Sequence, residues 1–271
     1  MGTPLFFAFF PETIAEANII SSSIMTLSYF GYYLTIAVLL SVGVWKKWRL
    51  EKIGAVTTIT VALLALLVGG FFQWIGWVDI KGMIDHFLVE IGTTLDQMIA
   101  TQPKERQAEM AMIVTQSKGW LVYFPSLIPA VVAIFTLLTV IINLGIPRLF
   151  YRASKPMKWA GDFRRLQIPH FLVWLLIASG GLFFINQYTI HLPLLKVAAV
   201  NLLITVLFVY FVQGLSIMAF FLKRYSLLFR FGIYGLLILF FQMVGLFVVG
   251  LGLADMWIDF RKLHKQQVNQ K

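Results

Sequence analysis

Residues 193–222 read PLLKVAAVNLLITVLFVYFVQGLSIMAFFL, thirty positions with a single charge, Lys196, and are followed at once by Lys223 and Arg224. About 20 apolar residues of helix cross the roughly 30 Å of bilayer hydrocarbon, and a helix satisfies its own backbone there. The run therefore predicts a transmembrane helix. Pro193 suits a first helical position, where its missing N–H costs nothing. Lys196 lies close enough to the start for its ammonium group to snorkel outward. The Lys223-Arg224 pair marks the other end as cytoplasmic, because short cytoplasmic loops retain positive charge.

Working outward, five more apolar segments meet or approach the same length: 22–45, 53–78, 120–146, 171–188 and 231–257. Each is bordered by charge or by Trp and Tyr suited to the membrane interface. The expectation is an all-α, polytopic membrane protein of about six transmembrane helices, forming a single membrane domain over 1–271. Composition agrees: 59% of residues are hydrophobic and 13% charged, which excludes a soluble globule. Residues 1–10 carry no basic leader and no small-residue cleavage site, so they do not read as a signal peptide, and the first span is expected to serve as its own targeting signal. Leu5 to Phe10 is too short to cross and reads as a half-helix or interfacial segment.

Thirteen of the 22 Lys and Arg residues fall in three clusters, Lys46 to Lys52, Arg148 to Arg165 and Lys223 to Arg230. A first span that starts outside places all three inside. Residues 79–118 carry four cations against six acids, the balance of a translocated loop. Within them Ile80, Met83, Ile84, Phe87, Leu88 and Ile91, continued by Leu95, Met98 and Ile99, recur at helical spacing. Met110, Ile113 and Val114 follow beyond Pro103, so an extracytoplasmic amphipathic helical hairpin turning near Pro103 is expected.

The sixth span raises a conflict. A single crossing over 231–257 leaves the tail outside, although Arg261, Lys262, Lys265 and Lys271 favour the cytoplasm. Gly245, Gly250 and Gly252 would permit a re-entrant hairpin instead. The single crossing is the favoured reading.

The net charge of +10 does not point to nucleic acid, because the cations sit at span ends without interleaved aromatics or a basic face. Membrane lipids, with anionic headgroups, are the expected partners. With no Cys, disulfides, thiolate chemistry and Cys-based metal sites are excluded. His86, His170, His191 and His264 are scattered, so neither a metal nor any other cofactor is expected. Gly250-Leu-Gly-Leu-Ala-Asp255 departs from the Gly-x-Gly-Asp of intramembrane aspartyl proteases, and there is no second intramembrane Asp to complete a dyad. Acids and bases are confined to loops, span ends and the hairpin, so no enzymatic activity is expected.

What remains inside the spans is amide and hydroxyl: Asn143, Asn201, Thr205, Gln213, Ser216 and Gln242. Amides donate and accept together, so Asn201, Gln213, Asn143 and Gln242 are candidates for lining a small-solute site. The plainer reading is that they tie helices together. Pro125 and Pro129 break the third span near its outer end, either to free carbonyls or simply as packing kinks.

Two strings are distinctive: Gln213-Gly-Leu-Ser-Ile-Met-Ala-Phe-Phe-Leu-Lys223-Arg, and Gly250-Leu-Gly-Leu-Ala-Asp255-Met-Trp-Ile-Asp259-Phe-Arg-Lys-Leu263. They resemble the corresponding strings of the YybS-like predicted membrane proteins of bacteria, a family of unknown function. The resemblance covers most of the chain and implies a multi-pass protein of the bacterial cytoplasmic (inner) membrane. It marks Gly214, Asp255, Asp259 and Arg261 as family-motif or interaction residues. Members of that family tend to be longer at the N-terminus, so this chain is expected to begin within an early span. The family is in turn distantly similar to substrate-binding membrane subunits of energy-coupling-factor transporters, which implies solute binding and pairing with an energising membrane partner. Those subunits commonly carry Ala-x-x-x-Ala in the first span; here Ala37-x-x-x-Ser41 and Ala65-x-x-x-Gly69 stand in its place. Two readings follow: a non-enzymatic solute binder serving uptake, with Asn201 and Gln213 orienting the solute, or a membrane scaffold or assembly protein whose amides serve packing.

Overall fold

A computed structural model of the chain describes residues 19–76, 79–121, 123–150 and 163–261. The interfacial segment expected at Leu5 to Phe10, most of the second basic cluster, and Lys262, Lys265 and Lys271 lie outside the described residues. Among the described residues the structure is all-helical: α1 Ile19–Trp45, α2 Leu50–Trp74, α3 Ile80–Ala100, α4 Lys104–Leu121, α5 Ile128–Phe150, α6 Leu172–Ile185, α7 Pro193–Leu222, α8 Leu227–Leu239 and α9 Phe241–Ile258. Six of its helical segments are long and apolar enough to cross a membrane. Large apolar side chains such as Leu66, Trp174 and Leu246 are more than two-thirds exposed. That is expected of surfaces solvated by lipid rather than by water.

The chain divides into two compact units, one of Met1–Leu39 with Ile59–Pro125, the other of Leu40–Thr58 with Ser126–Lys271. Helices α1 and α2 contribute to both. In the first unit, α3 and α4 form the hairpin around Pro103. Asp79 caps α3 by accepting from the Gly82 N–H at 3.0 Å, a standard N-cap role for Asp. Lys118 Nζ of α4 meets Asp96 Oδ2 of α3 at 2.6 Å. Ile84, Phe87, Leu88, Ile91, Leu95 and Ile99 of α3 are half-buried, as their spacing predicts, while Met83 and Met98 are exposed. The second stripe departs from expectation: Val114 is buried but Ile113 is 52% exposed. The rest of α4 is largely polar, with too few apolar residues to make a continuous face.

In the second unit, Ile53 of α2 packs with Val140 and Leu144 of α5, beneath Leu40, Val44, Trp48 and Leu50. The approach is close because Gly43 has no side chain: a Cβ there would lie 2.7 Å from Ile53 Cγ1. Helix α7 is the spine, burying ten residues along its length, among them Asn201, Tyr210, Gln213, Gly214 and Ser216. Helix α6 ends in a π turn, Asn186–Ile190. There the Asn186 Oδ1 accepts from the Leu192 N–H at 2.9 Å, closing the connection into α7.

The single helix expected over 231–257 is corrected to two. Helix α8 is 13 residues and α9 is 18, interrupted at Phe240 (φ −105°, ψ 26°). The Phe240 carbonyl accepts from both Met243 and Val244 N–H groups, so the regular ladder is broken at one residue. At 1.5 Å per residue α8 is about 20 Å long, less than the hydrocarbon thickness. The glycines that suggested a turn sit elsewhere and do something else. Gly252 of α9 and Gly214 of α7 face each other so closely that a Cβ on Gly252 would collide with the Tyr210 carbonyl, and one on Gly214 with the Val248 carbonyl. Tertiary packing of small residues, which the local sequence does not report, sets the course of α9.

Candidate functional site

The two distinctive strings meet in space. Gly214 and Gly252 bring α7 and α9 into backbone contact, and this proximity allows Gln213 Nε2 to donate to Asp255 Oδ2 at 3.1 Å. Helix α9 ends at Asp259, which adopts a left-handed conformation (φ 43°, ψ 62°), tolerated by Asp better than by most residues. The chain turns back there. The Phe260 N–H donates to Asp255 Oδ1 at 3.1 Å, and Arg261 is carried beneath the end of its own helix.

Arg261 is 3% exposed and Asp255 7%. The guanidinium Nη2 donates to Asp255 Oδ2 at 2.6 Å and to the Leu166 carbonyl at 2.8 Å. Nη1 donates to the Arg164 carbonyl and to Ser216 Oγ, both at 2.9 Å. Ser216 in turn donates to the Phe163 carbonyl at 2.6 Å. The planar fork of Arg suits this task, since it meets a carboxylate, two carbonyls and a hydroxyl in fixed directions. Charge balance and hydrogen bonding together make burial of the pair tolerable. The segment held by Arg261 is also held from the other side, because Gln167 N–H donates to Glu51 Oε1 of α2 at 2.9 Å. The starts and ends of α2, α7 and α9 are thus gathered around residues 163–168.

The remaining candidates do not join this cluster. Asn201 is fully engaged: its Nδ2 donates to the Ser126 and Val197 carbonyls at 2.6 and 2.7 Å, and its Oδ1 accepts from the Ala130 N–H at 2.7 Å. It thereby repairs the helix start that Pro125 and Pro129 disturb, replacing a missing turn of backbone bonds. Thr205 returns its hydroxyl to the Asn201 carbonyl. Asn143 is exposed and donates to Thr139 O of its own helix, and Gln242 is exposed on α9. The four proposed lining amides therefore do not share a pocket. Asp259 forms the turn that ends α9. Asn186 was not singled out by sequence, because it stands at the edge of an apolar run where polar residues are ordinary.

Two buried polar atoms in the cluster, Gln213 Oε1 and Arg261 Nε, have no hydrogen-bond partner among the described residues. Among those residues there is also no grouping of His, Asp or Glu that would hold a metal ion. The arrangement can clamp, orient and transmit movement between α7, α9 and the 163–168 segment. Its carboxylate and guanidinium are spent on each other.

Compared with known proteins, residues 14–256 match the family described as predicted membrane protein (DUF2232), and the chain belongs to that family. No curated protein and no solved structure matches it.

Proposed function

We propose that this member of the family is a non-enzymatic scaffold of the bacterial cytoplasmic membrane, whose task is to present a fixed cytoplasmic face to another membrane protein. The observation that carries this reading is the engagement of Asn201: a residue suited to a solute is instead saturated by three contacts to its own chain. Gln213 is likewise turned to Asp255. The face would consist of the turn after α1, residues 163–168, the α7–α8 turn and the tail fixed by Arg261. Lys46, Lys47, Lys223 and Arg224 belong to the turns that would form it, so an acidic partner surface is the better fit.

Solute binding for uptake is the second reading. It is favoured by Gln213 Oε1 and Arg261 Nε, which have no partner among the described residues, because a buried acceptor or donor left unsatisfied costs about 1–3 kcal/mol and a small polar ligand would recover that.

The two are separated by purifying the protein in mild detergent for mass spectrometry and cross-linking, alongside Asn201→Leu and Gln213→Leu. The scaffold reading expects bulk lipid only, cross-links from the cytoplasmic loops to a defined membrane protein, and function in cells that tracks the folded amount of each variant. A stoichiometric metabolite lost in Gln213→Leu at unchanged folded yield would establish the solute reading instead.

A further inference from the structure

An apolar groove of about 480 Å³ opens between α7 and α8, lined by Phe211, Leu215 and Ala219 on one side, Tyr234, Leu237, Ile238 and Phe241 on the other, and Phe163 at its end. Its walls share a pattern. Phe211, Leu215 and Ala219 are spaced by four along α7, and the next position in that row is Lys223. Ile238 and Tyr234 are spaced by four along α8, and the next position back toward its start is Arg230. Phe163 is followed directly by Arg164 and Arg165. Residues four apart share a helix face, so each wall of the groove ends, at the same end, in a cation. Arg230 is held there by donating to the Tyr225 and Lys223 carbonyls. Tyr225 stacks near Phe229, with ring centroids 4.8 Å apart, an aromatic arrangement suited to the headgroup level.

A long apolar slot bordered at one end by the cations of Lys223 and Arg230 matches one molecular shape in a bilayer. We infer that the groove binds an anionic phospholipid, with an acyl chain between α7 and α8 and the phosphate at Lys223 and Arg230. The apolar walls gain nothing over bulk lipid from an acyl chain alone, so the cations supply the selection. Each contributes through the attraction of anionic headgroups to basic residues near the surface.

The test uses the full chain, delipidated in non-ionic detergent and titrated with phosphatidylglycerol or phosphatidylethanolamine of identical acyl chains, with retention read by native mass spectrometry. Phosphatidylglycerol is expected to be retained roughly tenfold better or more, the effect of one to two headgroup-facing cations. Lys223→Gln, which leaves the turn's backbone bonds intact, should reduce that preference, and Lys223→Gln with Arg230→Gln should abolish it. Ala219→Phe should expel both lipids by filling the slot. Equal retention of the two lipids by the unaltered chain overturns the inference, whatever the folding of the variants. So does a preference that survives both the charge and the filling substitutions, or protection of the groove by a co-isolated polypeptide in place of lipid.

Discussion

Truncating Arg261 strands the Asp255 carboxylate in a buried position and releases the Arg164 and Leu166 carbonyls. Arg261→Met is expected to cost about 3–5 kcal/mol, the usual penalty for breaking a buried pair by one partner. The double variant Asp255→Leu with Arg261→Met should recover part of the loss, giving a coupling of about 0.5–3 kcal/mol in a double-mutant cycle read by thermal unfolding. Additive losses would mean that the pair does not act as a unit. Asn201→Leu should leave the Ala130 N–H buried without an acceptor, at about 1–3 kcal/mol. Gln213, Asp255 and Asn201 were legible as special in the sequence because polar groups stand out against an apolar run. The partners of Asn201 were not legible, since Ser126, Val197 and Ala130 contribute only backbone atoms that nearly any residue type would supply.

For the elements, the long apolar runs and their charged borders identified α1, α2 and α7 to within about four residues of their ends, and the hairpin turn at Pro103, whereas the run 120–146 starts eight residues before α5 and stops four short of its end. The sixth run does hold a helix long and apolar enough to cross, α9, but apolar composition does not record the break at Phe240, which involves neither Gly nor Pro. What directs α9 is its contact with α7. Gly214→Ala and Gly252→Ala each drive a methyl into a partner carbonyl, and overpacking of this kind costs about 1–3 kcal/mol. Gly232→Ala and Gly235→Ala, with open space around them, should be neutral or slightly stabilising by the gain in helix propensity. Thermal melts of the four variants check this; equal effects at all four positions would argue that propensity, not contact, governs the helices.

On the scale of the whole molecule, the basic clusters proposed a topology and left the tail in conflict with it. Helix α8 is too short to cross, and Arg261 is bonded to the segment that follows α5, beside the segment that carries Glu51. These contacts favour Arg261, just past the end of α9, on the same side as the basic loops, and that placement removes the charge conflict. The proposed scaffold face depends on this return of the chain, because it needs the tail at the cytoplasmic surface. The direct measurement is labelling of Val268→Cys with a membrane-impermeant maleimide in vesicles of known orientation; the native chain has no Cys to interfere. Ser226→Cys in the α7–α8 turn and Thr101→Cys in the hairpin serve as references for the two sides. Position 268 is predicted to react from the same side as position 226. Reaction from the side of position 101 would contradict the account.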